Sequence, residues 1–131
     1  MTSRTDVEVV LGNNAAFNRR DLDGMIAHFA PDAVVLDRRP GGFGSYHGAE
    51  ALRAYYGGIF DNTVELTEDL EIRSAADGVV VASCHTRAGL VSEMGSGEFV
   101  TDYALLMDIR DGLIARLEVF PDADTALASR S

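Results

Sequence analysis

The chain has 131 residues, 47% hydrophobic and 24% charged, ordinary values for one globular domain with a single sizeable core. Eleven basic against 21 acidic residues give a formal net charge of -10, which repels a nucleic-acid backbone and an anionic membrane surface alike. A single cysteine, Cys84, excludes an intramolecular disulfide framework, and without a CxxC or His/Cys cluster around it reads as core.

The opening MTSRTDVEVV lacks a basic start followed by an apolar run, and no stretch reaches the ~20 apolar residues of a membrane span, so a cytoplasmic protein is expected. Residues 1–5 read as a frayed start. Val7, Val10, Leu11 and Phe17 then mark one helical face, with Asn13 at its edge. An amide so placed either bonds to nearby backbone or acts as a neutral donor into a cavity. After the polar break NRRD, Asp21 is a good N-cap for a second helix, where Leu22, Met25, Ile26 and Phe29 recur at helical spacing. Pro31 disfavours helix at Ala30 and is expected to stop it. Ala33 to Leu36 read as a largely buried strand whose first charge is Asp37. Either the strand ends there, with Asp37 meeting water or Arg38 and Arg39, or the acid is functional, partly desolvated and made more basic at the end of a buried strand.

RRPGGFGSYHG reads as an irregular loop able to cover a pocket; it lacks the glycine spacing of a phosphate or dinucleotide site. Residues 48–60 read as a third helix through Leu52, Tyr55 or Tyr56, Ile59 and Phe60. Strands dominate thereafter: Val64 to Arg73, half exposed; Val79 to Leu90, with Val80, Ala82, Cys84, Ala88 and Leu90 on one face; Glu98 to Arg110 after the connection EMGSG; and Leu113 to Phe120 after an Arg110-Asp111-Gly112 turn. The tail after Pro121 is expected to be loosely held. His28 and His47 have no metal-ligand spacing. His85 and Arg87 share a polar strand face that lines a cavity or meets solvent, and Asp102 and Asp108 are expected to face solvent. Three helices followed by long antiparallel strands, with one strand between the second and third helices, define an α+β domain in which helices and a curved sheet enclose a cone-shaped cavity.

Three blocks carry a family resemblance: AAFNRRDLDGMIAHFAPDAVVLD, YHGAEALRAYYGGIF and DIRDGLIARLEVFPD. They resemble the nuclear transport factor two-like superfamily, which includes ketosteroid isomerase, SnoaL-like polyketide cyclases, limonene epoxide hydrolase and scytalone dehydratase. The resemblance implies a single domain over residues 1–131: a cone-shaped α+β barrel with a curved, mostly antiparallel sheet and three N-terminal helices. It places Asp37 where ketosteroid isomerase keeps its general base, Asn13 where that enzyme has an oxyanion tyrosine, and Leu105 where it has a protonated aspartate, so one of two donors is missing. Arg87 is similar to an arginine of limonene epoxide hydrolase, but that enzyme's paired aspartates fall on Gly89 and Val119, which disfavours epoxide opening.

The function so implied is a cofactor-independent isomerase or cyclase acting on a small, largely apolar carbonyl compound of polyketide or terpenoid type. Asp37 would take the proton, and Asn13 with a tyrosine would hold the enolate oxygen. No metal or cofactor is expected. Phe17, Met25, Phe29, Tyr56, Leu105 and Met107 are the expected lining, with Tyr103 orienting the ligand. Such a pocket favours neutral or weakly anionic polycyclic compounds unless Arg38, Arg39 and Arg53 converge inward. A homodimer through the open sheet face is expected. The alternative is a non-catalytic small-molecule-binding or dimerisation module of the same fold.

Overall fold

In the computed structural model the described residues are 5–41, 44–90 and 97–129. Helix α1 (Asp6–Asn18) starts at a capping box: Thr5 Oγ1 accepts from the Glu8 N–H at 3.1 Å, and Glu8 Oε1 accepts from the Thr5 N–H at 3.2 Å. It ends where Arg20 takes a left-handed conformation (φ +59°), which lets the Asp21 N–H return to the Ala16 carbonyl at 2.9 Å. The Arg20 guanidinium then donates to the Phe60 carbonyl and, at 2.8 Å, to the Thr63 carbonyl. The end of the first helix is thereby tied to the end of the third.

Helix α2 (Leu22–Ile26) is capped by Asp21, whose Oδ1 accepts from the Gly24 N–H at 3.0 Å. It is shorter than the spacing of Leu22, Met25, Ile26 and Phe29 predicts. Phe29 already belongs to strand β1 (Phe29–Asp37), and Pro31 sits inside that strand instead of ending the helix. The ladder explains this: β1 shifts register between Phe29 and Val34, so the missing N–H of Pro31 falls at an irregularity. The glycine-rich loop is also more regular than expected, because Ser45–His47 form a short strand β2 against Val34–Leu36. Helix α3 spans Gly48–Asp61.

Strands β3 (Thr63–Ala76), β4 (Val79–Leu90), β5 (Gly97–Arg110) and β6 (Leu113–Phe120) follow as an antiparallel meander. The sheet order is β2-β1-β6-β5-β4-β3, with the β1–β6 pair parallel. The sheet is curved but not closed into a barrel, so the cone is completed by helices packed on its concave face. Val9, Val10, Phe17, Met25, Leu52, Tyr56 and Phe60 of the helices meet Val35, Val80, Met107 and Leu117 of the sheet in the main core.

The tail departs from expectation. After Pro121, residues Ala123–Ala128 form helix α4, capped by Asp122, and Ala123 and Ala126 pack with Val81, Ala104, Leu106 and Phe120 on the convex face. Ala126 is 0% exposed. The small residues that suggested a loose tail are those that let a helix lie close to the sheet. Among the described residues no helix is long and apolar enough to cross a membrane. Residues 1–4 of the expected frayed start, and all but Gly97 of the EMGSG connection, lie outside the described residues.

Candidate functional site

A cavity of about 970 Å³ lies between the helices and the concave sheet face. Its wall is mostly apolar, with Phe17, Met25, Tyr56, Ile59, Leu66, Ala88, Leu105, Leu117 and Val119 among the lining residues. Set into that wall, among the described residues, are two carboxylates, Asp37 and Glu68, and one cation, Arg39, with Tyr46, Tyr55, Tyr103, Thr86 and Asn13 among the neutral polar groups. Of the expected lining, Phe17, Met25, Tyr56, Tyr103 and Leu105 are in place. Phe29 and Met107 are not. Both are buried in the main core behind the cavity surface, Phe29 against the Tyr56 ring at 6.0 Å and Met107 paired with Val80 and Leu117. Strand and helix periodicity identified their inward face but not how deep along the cone they sit.

Asp37 ends β1 with its N–H bonded to the Gly44 carbonyl at 2.9 Å. Its side chain is 1% exposed and reaches the cavity wall, yet it is also an ion-pair partner. Arg39 Nε donates to Oδ1 at 3.0 Å, Arg39 Nη2 to Oδ2 at 2.7 Å, and the Arg39 N–H to Oδ1 at 3.1 Å. This bidentate fork is the strongest form of such a pair. It holds Arg39 above the ordinary guanidinium value, chiefly through the Asp37 hydrogen bond. Asp37 therefore faces the cavity and is at the same time paired with Arg39. Arg38 turns the other way, to Glu118 at 3.1 Å, and the exposed Arg53 pairs with Asp23 at 2.7 Å. Of the three arginines that could have converged inward, only Arg39 lines the cavity.

Asn13 lines the cavity as well, but its Nδ2 donates to the Met25 carbonyl at 3.1 Å, joining α1 to α2. One of its donors thus serves the scaffold. His85 and Arg87 face away from the cavity: His85 Nδ1 is 2.6 Å from Asp102 and Arg87 pairs with Glu98 at 3.3 Å, both pairs largely exposed. Cys84 is buried, and burial pushes its thiol well above the ordinary value, which makes it an inert core residue. Among the described residues no group of three or more His, Cys, Asp or Glu is arranged to hold a metal ion.

The sequence reading missed Glu68. It lies on β3, is 8% exposed and lines the cavity. Glu68 Oε2 accepts a short hydrogen bond from the Tyr103 hydroxyl, which also contacts Thr86 Oγ1 at 2.6 Å, and Oε1 accepts from Asn14 Nδ2 at 2.9 Å. The backbone around it is fixed by Asn18, whose Oδ1 accepts from the Glu68 N–H at 2.7 Å and whose Nδ2 donates to the Glu68 carbonyl at 3.0 Å. The asparagine amide thus stands in for a neighbouring strand at the sheet edge. Among the described residues Glu68 makes no ion pair. Burial raises its pKa above the ordinary glutamate value, and the Tyr103 and Asn14 hydrogen bonds offset this only in part. Burial also raises Tyr103 and Tyr56, and it pushes Tyr55 up to about 12, so these three phenols stay neutral. A signal for Glu68 was present: Leu66, Glu68, Leu70 and Ile72 alternate on one strand face, which makes an acid the odd member of an inward-facing set.

A curved sheet with helices over one face and a cavity between them defines a small α+β fold built around an internal cavity. Over residues 12–117 the sequence matches the SnoaL-like domain, and the chain belongs to that family. No curated protein sequence matches it. Solved structures share the fold at low identity. An NTF2-like protein of unknown function from Burkholderia pseudomallei is 20% identical, with 96% of this chain and 97% of that one covered and a TM-score of 0.75. TerC, co-crystallised with polyporic acid, is 20% identical, with 95% of each chain covered and a TM-score of 0.72. The epoxide hydrolase/cyclase-like enzyme SalBIII, with a role in pyran ring formation in the polyether salinomycin, is 18% identical, with 88% of each chain covered and a TM-score of 0.77.

Proposed function

We propose that the chain is a cofactor-independent isomerase- or cyclase-type enzyme, cytoplasmic and homodimeric, that moves a proton on a small, largely apolar carbonyl compound with a carboxylate as base. The observation that carries this reading is an apolar cavity of about 970 Å³ whose described wall holds the carboxylates of Asp37 and Glu68 and the guanidinium of Arg39. The apolar surface selects the ligand by shape. A carboxylate accepts a proton from the carbon next to a carbonyl, and neutral donors of the wall, the tyrosines among them, hold the oxygen where enolate charge grows. Polyporic acid on TerC and ring formation by SalBIII lend support, since both belong to chains of this fold.

A second reading, a non-catalytic binding cavity, is favoured by one observation: Asp37 and Asn13, the base and donor implied by the family resemblance, both already have protein partners. Proton exchange separates the two readings without knowledge of the natural substrate. The wild-type protein, mixed in D₂O with cyclic and aromatic ketones, is expected to exchange their α-protons faster than buffer or unfolded protein does, as read by NMR. Ketones that bind, by thermal shift, but never exchange would support the binding module instead.

A further inference from the structure

We infer that Glu68 is the acid–base residue of the cavity and that Tyr103 positions it. This assignment rests on the proton-transfer reading above and adds the atom that carries the proton.

Four observations converge on Glu68. Its carboxylate is buried in the cavity wall, so a ligand in the cavity meets it with little competing water. Among the described residues it has no cation beside it, whereas Asp37 is locked by both nitrogens of a guanidinium fork. A carboxylate held by a fork must give up two bonds to a full positive charge before it can accept a proton; one held by neutral donors gives up less. The orientation of Glu68 is set by Tyr103 at Oε2 and Asn14 at Oε1, and its backbone by Asn18 at both N–H and carbonyl. So many bonds on one edge-strand residue exceed what strand pairing requires, and they hold a carboxylate in a fixed place against an apolar space. Burial also favours its neutral form, which brings it nearer the acidity a general base needs around neutral pH.

The step is balanced without a co-reactant. A Glu68 oxygen takes the proton from the carbon next to the substrate carbonyl. The C–H bond breaks, an O–H bond forms, and the electron pair passes into the enolate. Glu68 then returns the proton, either to another carbon of the same skeleton in an isomerisation or to the oxygen formed when the enolate carbon attacks a second carbonyl in a cyclisation. Nothing is oxidised or reduced. Tyr103 keeps the carboxylate aimed, Thr86 completes the bonding of the Tyr103 oxygen, and Arg39, centred 5.4 Å from the Tyr103 ring, is the cation on the same stretch of wall.

The test uses 2-tetralone as the ketone and 2-naphthol as a stable analogue of its enol. Wild-type protein is expected to exchange the 2-tetralone α-protons, with a rate that rises as Glu68 ionises. Glu68→Gln is expected to lower that rate by about 100-fold or more while 2-naphthol affinity, read by its fluorescence, stays within about threefold. Tyr103→Phe keeps the acid but removes a hydrogen bond that favours the carboxylate, so its acidic limb moves to higher pH; a purely structural tyrosine would lower the rate without moving the limb. Exchange by wild type together with near-normal exchange by a folded Glu68→Gln overturns the assignment and leaves the proposed reaction standing. If Glu68→Gln does not fold, an unmoved limb in Tyr103→Phe overturns it instead. No exchange by the wild type overturns the proposed reaction and the assignment with it.

Discussion

Asp37 and Arg39 lie two residues apart and close on each other through two side-chain bonds, 3.0 Å from Nε to Oδ1 and 2.7 Å from Nη2 to Oδ2, with the carboxylate 1% exposed and the guanidinium 26% exposed. The pair fixes the turn that leaves β1 and sets the charge of one end of the cavity.

Removing one half of such a pair strands the other. Asp37→Asn leaves Arg39 charged and mostly buried, and a loss of about 1–3 kcal/mol in stability is expected, less than a fully buried pair would cost because water reaches the guanidinium. Urea unfolding measures it. An unchanged or raised midpoint would mean that the pair is strained and that Asp37 is held for chemistry, not for structure.

Glu68 predicts a pH dependence of stability. Its folded-state pKa is raised above the ordinary 4.5 by burial, so between 4.5 and the raised value the folded chain binds more protons than the unfolded one. Stability contributed by Glu68 is therefore complete below the ordinary value and is lost as pH rises through the folded value. Compared with wild type, Glu68→Gln should gain relative stability as pH rises across that window, by about 1.4 kcal/mol for each unit the pKa is raised. Paired urea titrations from pH 4 to pH 8 read the difference directly, and a flat difference would contradict the burial argument.

Among the described residues the cavity's one cation, Arg39, is already matched by Asp37, so a highly charged ligand would lose its hydration without gaining a free counter-charge. Neutral or weakly anionic polycyclic ketones and phenols are expected to raise the melting temperature, and nucleotides or sugar phosphates to leave it unchanged. A thermal-shift screen holding both classes decides the polarity. Stabilisation confined to the phosphorylated compounds would invert it.

The convex sheet face carries the exposed Val100 beside charged neighbours, and α4 covers only part of that face. A homodimer through the uncovered part, burying roughly 1,200 to 2,000 Å², should appear in light scattering at micromolar concentration as twice 14.1 kDa. Val100→Asp should shift the species toward monomer. A wild-type mass of 14.1 kDa under those conditions rules the interface out.

The sequence by itself determined the order of the three main helices and the long strands, the α+β class and the family resemblance. Period-two and helical alternation, the Asp21 cap and the Asp111–Gly112 turn are local signals, strong enough to place β6 at Leu113–Phe120 and α3 to within a residue. Tertiary contacts decided the rest. Phe29 joins a strand because parallel pairing with β6 outweighs a single helical repeat, and Ala123–Ala128 form a helix because a small-residue face can approach the sheet there. Burial depth decides that Phe29 and Met107 are core while Leu105 lines the cavity. The site diverged furthest from the local reading. Whether Asp37 or Glu68 is available to take a proton depends on whether each carboxylate meets a cation or neutral donors in space. For Asp37 the cation is two residues away, whereas Glu68 is held by Asn14 and Tyr103, brought to it from α1 and β5 only when the sheet curves beneath the helices.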